Sequence, residues 1–202
     1  MLSNVVSFEK GKEYLRKKIH DSYRGQRQGG ISTPKDHPII LLFDTSRGAE
    51  YGYRDGFTNE GIYEWTGEGQ TGVMTISRGN RAILTHVESN KQIHLFKETK
   101  PGWVKYIGEM VSLGYFLFNG VDKNGNLRKL IVFNLAPIDT PLERLKVLRN
   151  QTSIQKERVQ KVKPERILLC PKCKKEYEWE LKSTKKFCDN CGSFLSLKTR
   201  YE

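Results

Sequence analysis

The stretch Tyr51–Leu84, YGYRDGFTNEGIYEWTGEGQTGVMTISRGNRAIL, holds the most informative pattern in this chain of 202 residues. Two aromatic residues, Tyr53 and Trp65, stand on either side of a turn-rich segment, with Asp55 close to the first. A loop of Gly, Thr and Gln follows the second. Flat rings, an acid and a backbone with few bulky side chains suit a planar polar ring, such as a nucleobase turned out of a duplex. An isolated aromatic pair is more often part of a half-buried strand. The wider sequence pattern therefore decides between a strand and a base pocket.

The wider pattern is a series of short motifs in a fixed order. They are YRGQRQGGIS (23–32), IILLF (39–43), RGAEYGY (47–53), GYRDG (52–56), IYEWTGEGQTG (62–72), GNRAI (79–83), HLFK (94–97) and KLIVFNL (129–135). Over residues 8–136 this order resembles the SET- and RING-associated (SRA, or YDG) domain, which binds DNA containing 5-methylcytosine. The branch that it resembles most is the N-terminal reader of bacterial methylation-dependent HNH restriction endonucleases.

The resemblance implies an α+β fold: an SRA-like (PUA-like) curved β-barrel with flanking helices. It also implies that the flipped base lies between two aromatic rings, which match Tyr53 and Trp65. The predicted base pocket comprises Tyr53, Asp55, Trp65, Thr66 and Gly67. In eukaryotic members the acid that reads the cytosine amino group falls at Gly56, one position after Asp55. Bacterial relatives are expected to carry an acid where this chain has Val73, and the loop after GEGQTG is short beside the family's intercalating finger.

The charge of the chain predicts a polyanionic partner. The formal net charge is +12 and the sequence pI is about 9.5, a balance that favours a polyanionic partner over a merely solubilising basic surface. The basic and amide side chains in or beside the Gly-rich loops are the predicted contacts to double-stranded DNA. They are Arg24, Gln26, Arg27, Gln28, Arg54, Gln70, Arg78, Asn80 and Arg81.

The composition predicts a soluble protein away from membranes. Mean hydropathy is −0.62, and no apolar run approaches the roughly 18 residues of a membrane span. The first residues, MLSNVVSFEKGKEYL, lack the apolar core of a secretory signal. We therefore expect a cytoplasmic, nucleoid-associated protein of a prokaryote or phage.

Local patterns predict three parts. Residues 1–136 form the SRA-like reader, with a helix over 7–22 that Ser7 caps. Strands are expected at 39–43, 61–65, 93–96, 103–109, 115–118 and 129–135, and a hairpin tip at 123–126. Residues 137–166 are expected to be a helical, basic linker, and residues 167–202 a zinc ribbon.

The third part carries the chain's four cysteines. Cys170, Cys173, Cys188 and Cys191 form C-x2-C-x14-C-x2-C. Two thiolate pairs on tight turns supply a tetrahedral ligand set for a structural Zn²⁺, and a segment this small depends on its metal to fold. Disulfides or a redox pair are the alternatives, but no sign of export favours them.

The sequence offers little for catalysis. An HNH nuclease needs histidines beside its cysteine knuckles, yet His20, His37, His86 and His94 all precede them. Glu178, Glu180 and Lys182 resemble by chance the carboxylates and lysine of a PD-(D/E)xK nuclease. The hairpin expected to carry them is too small for that nuclease fold. We therefore expect a non-catalytic reader of 5-methylcytosine or a relative such as 5-hydroxymethylcytosine. The alternatives are a modification-dependent restriction endonuclease, a target-recognition subunit that works with a nuclease or another protein, and an RNA-binding module of similar shape.

Overall fold

The structure, a computed structural model, describes residues 7–45, 53, 55–122, 124–150, 165–178 and 187–200. The chain divides into two compact units, Met1–Lys156 and Glu157–Glu202. Tyr53 and Trp65 belong to the first unit, and all four cysteines belong to the second. Arg54, one of the predicted DNA contacts, lies outside the described residues.

The first unit is built on one eight-stranded sheet. Its elements are β1 (Glu13–Leu15), α1 (Arg16–Tyr23), β2 (Ile31–Ser32), β3 (Ile39–Asp44), β4 (Gly56–Phe57), β5 (Tyr63–Thr66), α2 (Arg78–Leu84), β6 (Gln92–Lys100), β7 (Trp103–Val121), β8 (Leu127–Pro137) and α3 (142–150). The strand order is β2-β3-β6-β7-β8-β5-β4, with β1 paired to β7. Among the strand pairs that the described residues form in this unit, only β3–β6 is parallel. The predicted α+β architecture, a curved sheet with flanking helices, is confirmed.

Strand β3 shows why the sequence IILLF forms the centre of this unit. Alternate side chains of a strand point to opposite faces, and both faces of β3 are covered. Ile40 and Leu42 belong to one apolar cluster with Trp65 and Ile83. Ile39, Leu41 and Phe43 belong to a second cluster with Ile19 of α1. A strand buried on both sides is apolar throughout, as this one is.

Strand β7 is much longer than the sequence indicated. The predicted strands 103–109 and 115–118 are parts of one strand, Trp103–Val121. Its pairing shifts register against β6 between Leu95 and Phe96 and against β8 between Ser112 and Tyr115. Such irregularities bend and twist a strand, so one long strand can follow the curvature of the sheet. The predicted hairpin tip is confirmed: β7 and β8 pair up to Val121 and Leu127.

The predicted helix over 7–22 is wrong in its first half. The helix begins at Arg16, after Leu15, which makes no side-chain cap hydrogen bond. Residues Glu13–Leu15 instead pair with Trp103–Lys105 of β7, and Gly11 has a φ of +85°. Pairing with a distant strand therefore overrides the helical spacing of the apolar residues, and Ser7 caps nothing.

Helix α3 lies within the linker that was predicted to be helical, but it also packs against strands of the first unit. Leu148 is 4% exposed and packs in a cluster with Ile62, Leu113 and Ala136. Arg144 of the same helix donates from Nη2 to the Glu60 carbonyl over 2.9 Å. The compact unit accordingly extends to Lys156, beyond the predicted end of the reader at residue 136.

The second unit is a small three-stranded sheet beside the cysteines. Strand β9 (Glu165–Leu169) lies between β10 (Glu176–Glu178) and β11 (Ser196–Arg200), antiparallel to both. Phe187 and Phe194 are 52% and 65% exposed, although their rings lie 4.5 Å apart. Leu168 is buried, but both phenylalanines are largely exposed. Apolar packing in the described part of this unit is therefore slight.

Candidate nucleic-acid interface

A cavity of about 430 Å³ lies on the first unit where β5, the loop after it and the approach to β2 meet. Its lining residues are Arg16, Gly29, Gly30, Ile31, Phe43, Thr45, Tyr53, Asp55, Trp65, Thr66, Gly67, Glu68, Gly69, Gln70, Glu98 and Gly102. All five residues of the predicted base pocket are among them. The fold therefore brings the predicted pocket residues together on one concave surface, the form that ligand sites take.

The two aromatic residues of the cavity differ in exposure. Trp65 pairs with Phe133 of β8, is only 3% exposed, and has an Nε1 without a hydrogen-bond partner among the described residues. A Cβ on Gly30 would lie 3.2 Å from its ring, so only glycine fits there without a shift. Tyr53 is half-buried and packs against the same core cluster. A base stacking on Trp65 must first displace groups that now cover its ring, whereas Tyr53 is accessible.

Asp55 places a carboxyl group in the cavity. Its Oδ1 accepts a hydrogen bond from the Thr66 backbone N–H over 2.7 Å. Burial raises the pKa of Asp55 to about 6, because desolvation disfavours the charged form more than the hydrogen bonds from Thr66 favour it. A carboxyl group poised in this range accepts or donates a proton near neutral pH, as functional-site acids often do.

The loop after β5 is fastened to helix α2 by Asn80. The Asn80 Oδ1 accepts from the Glu68 N–H over 2.8 Å, and its Nδ2 donates to the carbonyls of Glu68 and Thr75. Glu68 Oε1 in turn accepts from the Gly79 N–H over 2.8 Å. Asn80 is 1% exposed, and in this structure both polar atoms of its side chain are used to hold the loop.

Helix α2 was not predicted, because RGNRAIL reads as the end of a Gly-rich loop. Ile83 is fully buried in the main core cluster, and packing there makes the segment helical. Arg78 and Arg81 are exposed on this helix, so both remain predicted DNA contacts. Arg78 has a φ of +45°, a value uncommon outside glycine.

The loop 24–30 presents its basic side chains to solvent. Arg27 Nη2 pairs with Asp21 at 2.5 Å, and Arg24 Nη1 lies 3.8 Å from Asp36. Gln28 is exposed, whereas the Gln26 side chain accepts from the Thr33 N–H over 2.8 Å and so helps to shape the loop. Arg24, Arg27 and Gln28 keep their predicted role, and Gln70 is likewise exposed at the edge of the cavity.

Arg16 is a cavity residue that sequence reasoning missed. Its guanidinium lies 4.2 Å from the centroid of the Phe43 ring and donates from Nη2 to the Gly29 carbonyl over 2.6 Å. Arg16 therefore joins the basic loop to the cavity. The sequence indicated only that Arg16 lies in the helix expected over 7–22, which gave no sign of a cavity.

The four cysteines of the second unit form a compact cluster. Their Sγ atoms all lie within 4.8 Å of one another, with Cys170–Cys191 at 3.4 Å and Cys173–Cys188 at 3.5 Å. These separations are far longer than a disulfide bond of about 2.05 Å. They are close to the edges of a tetrahedron with metal–sulfur bonds of about 2.3 Å. The Tyr177 hydroxyl lies 3.1 Å from Cys188 Sγ, so the donor set and its surroundings fit a metal ion.

A scan against protein-family models decides the family. The model described as "ScoMcrA-like, SRA domain" matches residues 10–158, which is most of the first unit and includes every described residue of the cavity. The chain belongs to the ScoMcrA-like SRA family. The SRA resemblance drawn from the motifs is thereby confirmed, and the SRA domain extends beyond residue 136 to include α3.

Solved structures with the same fold agree. The sulfur-binding and SRA domains of ScoMcrA in complex with phosphorothioated DNA share 20% identity and a TM-score of 0.58, over 71% of this chain and 45% of that one. The type IV phosphorothioation-dependent restriction endonuclease ScoMcrA has 21% sequence identity and a TM-score of 0.59, over 73% of this chain and 31% of that one. The SUVH5 SRA domain in complex with fully methylated CG DNA has 18% sequence identity and a TM-score of 0.50, over 69% of this chain and 95% of that one. At these identities the likeness establishes the SRA fold.

No curated protein matches this chain, and the chain spans less than half of each ScoMcrA structure that it matches. Among the described residues, no helix has the length and apolar character needed to cross a bilayer.

Proposed function

We propose that the SRA domain binds duplex DNA carrying a modified cytosine and holds that base, turned out of the duplex, against Tyr53 and Trp65. One observation carries the proposal: five residues selected from sequence motifs line one cavity of an SRA domain. Two of them are aromatic, and stacking on an aromatic face contributes about 1–3 kcal/mol per base once the groups that now cover Trp65 are displaced.

The chemistry of the cavity suits the polar edge of a cytosine. The described hydrogen bond to Asp55 uses Oδ1 and a backbone N–H, and a carboxylate has room for about four hydrogen bonds. Its remaining lone pairs can accept from the exocyclic amino group of the base. The solved SRA relatives include a complex of SUVH5 with fully methylated CG DNA and ScoMcrA domains complexed with phosphorothioated DNA, and we propose 5-methylcytosine or a relative such as 5-hydroxymethylcytosine as the base here.

The exposed basic side chains supply the sequence-independent part of binding. Arg24, Arg27, Arg78 and Arg81 are all exposed, and contacts to phosphates position a protein on DNA without specifying the base. The proposed division of labour is therefore between arginines that attract the duplex and a cavity that selects the modified base.

A binding panel tests the proposal directly. Duplexes of one sequence, differing only in a central cytosine, 5-methylcytosine or 5-hydroxymethylcytosine, are titrated by fluorescence anisotropy at fixed salt, with a single-stranded RNA of the same sequence alongside. We expect a modified duplex to bind at least about tenfold more tightly than the unmodified one, a difference of about 1.4 kcal/mol. Equal affinities for all duplexes, or tighter binding of the RNA, would contradict the proposal.

For the second unit we propose a structural Zn²⁺ held by Cys170, Cys173, Cys188 and Cys191. Four thiolates fill a tetrahedral zinc site and leave no open position for catalysis. The ion would hold together the two turns on which the cysteines lie, where the described apolar packing is slight. The chain would then consist of an SRA reader, a connecting segment and a zinc ribbon.

We propose that this chain reads DNA without cutting it. Endonuclease activity belongs to ScoMcrA, a protein of which the chain spans 31%. Incubation of modified and unmodified plasmid with Mg²⁺ or Mn²⁺ checks this: the expected result is intact plasmid. Cleavage that depends on the modification would instead establish the nuclease alternative. If the plasmid stays intact, a separate nuclease that acts as a partner remains part of the proposal.

A further inference from the structure

Arg128 is a buried charge beside the proposed base pocket. It belongs to β8 and is 5% exposed, while its neighbours Leu127 and Lys129 are exposed. Arginine is almost never this deeply buried without partners, because taking its charge out of water costs free energy. A buried guanidinium therefore has to be explained by the groups that it contacts.

The described partners of Arg128 are carbonyls of the loop that borders the cavity. Its Nη1 donates to the Gly69 carbonyl over 2.6 Å and lies 3.4 Å from the Gly72 carbonyl. Its Nε and Nη2 have no hydrogen-bond partner among the described residues. Hydrogen bonds from a charged donor are the stronger ones, and here they act on two positions of a Gly-rich loop with little packing of its own.

The Gly69 carbonyl has a second donor, the hydroxyl of Tyr53, at 2.7 Å. One backbone oxygen thus joins the buried Arg128 to one of the two aromatic residues proposed to hold the base. Gly69 has a φ of +144°, in a region that favours glycine, so its backbone can turn the carbonyl toward both donors.

We propose that Arg128 is a positioning residue for base recognition: through the Gly69 carbonyl it fixes the loop 69–72 and the ring of Tyr53 in the geometry that receives the base. This inference rests on the proposed function of the cavity. Preorganised side chains discriminate better, because less free energy is lost in ordering them when the ligand binds. Arg128 would therefore contribute to selectivity for the modified base without contacting it.

Hydrogen exchange of the free protein tests the clamp without DNA. In Arg128→Met we expect amide exchange in peptides covering residues 66–74 to accelerate at least about tenfold, as for the loss of a charge-assisted hydrogen bond. Peptides of β3 should be unchanged. Arg128→Lys keeps the charge but carries its donor on a shorter side chain. Its exchange rate should therefore lie between those of wild type and Arg128→Met. Lys129→Met is the matched control: it removes a neighbouring, exposed charge and should leave residues 66–74 unaffected.

A double-mutant cycle with Tyr53→Phe separates positioning from general stability. The phenyl ring keeps the stacking face but loses the hydroxyl that bonds to Gly69. If both side chains act through one carbonyl, their effects on the modified-to-unmodified affinity ratio are not additive. We expect Tyr53→Phe to lower this ratio in wild type and to change it little in Arg128→Met.

The outcomes are distinguishable. Unchanged exchange of residues 66–74 in a folded Arg128→Met, or fully additive effects in the cycle, would overturn the positioning role. If Arg128→Met does not fold, Arg128→Lys provides the same two readouts. A wild-type protein that binds all duplexes equally would refute the proposed function, while the exchange data would still decide whether Arg128 holds the loop.

Discussion

The carboxylate of Asp55 accepts the backbone N–H of Thr66 over 2.7 Å, and this hydrogen bond joins the approach to β4 with the last residue of β5. Tyr53 and Trp65 are near neighbours in sequence of these two residues. The same hydrogen bond therefore sets the position of the only acid in the predicted pocket relative to both aromatic residues. Burial raises the pKa of this acid to about 6.

The raised pKa predicts that binding of modified duplex depends on pH. If ionised Asp55 accepts the base amino group, affinity should be constant above about pH 7 and fall by up to about tenfold per unit below pH 6, as its carboxylate becomes protonated. Asp55→Asn should weaken binding at pH 7.5 and remove this dependence. Anisotropy titrations from pH 5 to 8 measure both effects, and an identical pH profile in the variant would contradict the assignment.

Stability of the free protein should respond to Asp55 with the opposite sign. A carboxyl group whose folded pKa is raised stabilises the fold below its unfolded pKa, and this contribution is lost as the pH rises through about 6. Asp55→Asn should therefore raise the melting temperature at pH 7.5 and have less effect at pH 4. Calorimetry of wild type and variant at both values checks it. A variant less stable at pH 7.5 would show that the carboxylate is structurally required.

Trp65 should be tested with a conservative variant, because it belongs to the core. Trp65→Ala is expected to cost about 3–5 kcal/mol of folding free energy, which would obscure any effect on binding. Trp65→Phe keeps an aromatic ring and should reduce the preference for modified duplex several-fold while leaving weak, salt-sensitive binding. The matched control is Trp103→Phe, since Trp103 lies at the start of β7, is 37% exposed, and is absent from the cavity lining. Equal losses on modified and unmodified duplexes would reject the pocket assignment.

The exposed arginines should set the salt dependence. Single substitutions to Gln at Arg24, Arg27, Arg78 or Arg81 are expected to weaken binding to all duplexes alike. Each lost phosphate contact should lower the slope of log affinity against log salt by about 0.9. Arg144→Gln is a suitable control, because Arg144 lies on α3 and bonds to the Glu60 carbonyl. Slopes unchanged in all four variants would place the DNA surface elsewhere on the domain.

The cysteine cluster should bind one Zn²⁺ per chain. Chelation should unfold residues from about 167 to 197, because metal binding is folding free energy for such a segment, and should leave binding of modified duplex intact. Elemental analysis, followed by limited proteolysis with and without chelator, tests both parts. Cys173→Ser should reproduce the effect of the chelator, whereas metal-free reduced protein with a protected C-terminal unit would contradict the zinc assignment.

The local patterns of the sequence were sufficient for the motif-bearing parts of the chain. The order of the short motifs predicted the SRA family, and the apolar run Ile39–Phe43 predicted a strand. The two CxxC pairs predicted a four-cysteine cluster, which the structure confirms. Each of these signals depends on residues close together in sequence, where spacing and side-chain chemistry carry the information.

The positions of single side chains could not be predicted from local sequence patterns. Asn80 looked like a DNA contact in a loop but is buried in a helix end, where it holds Glu68. Arg16 was expected only as part of a helix, and the structure shows that it lines the cavity. Leu148 looked like part of a linker but packs against Ala136 and Ile62. Each outcome depends on a partner far away in the chain, which local spacing does not specify.

The sequence alone thus determined which chemistry this protein carries: two aromatic residues and an acid near Gly-rich turns, a basic surface, and four thiols at metal-binding spacing. The tertiary structure decided which of these groups share a cavity and what holds them there. The contact between Arg128 and Gly69 spans 59 residues, and the strand pairings that permit it arise only when the whole sheet forms. Cooperative long-range pairing, rather than local propensity, therefore decides the geometry on which base recognition depends.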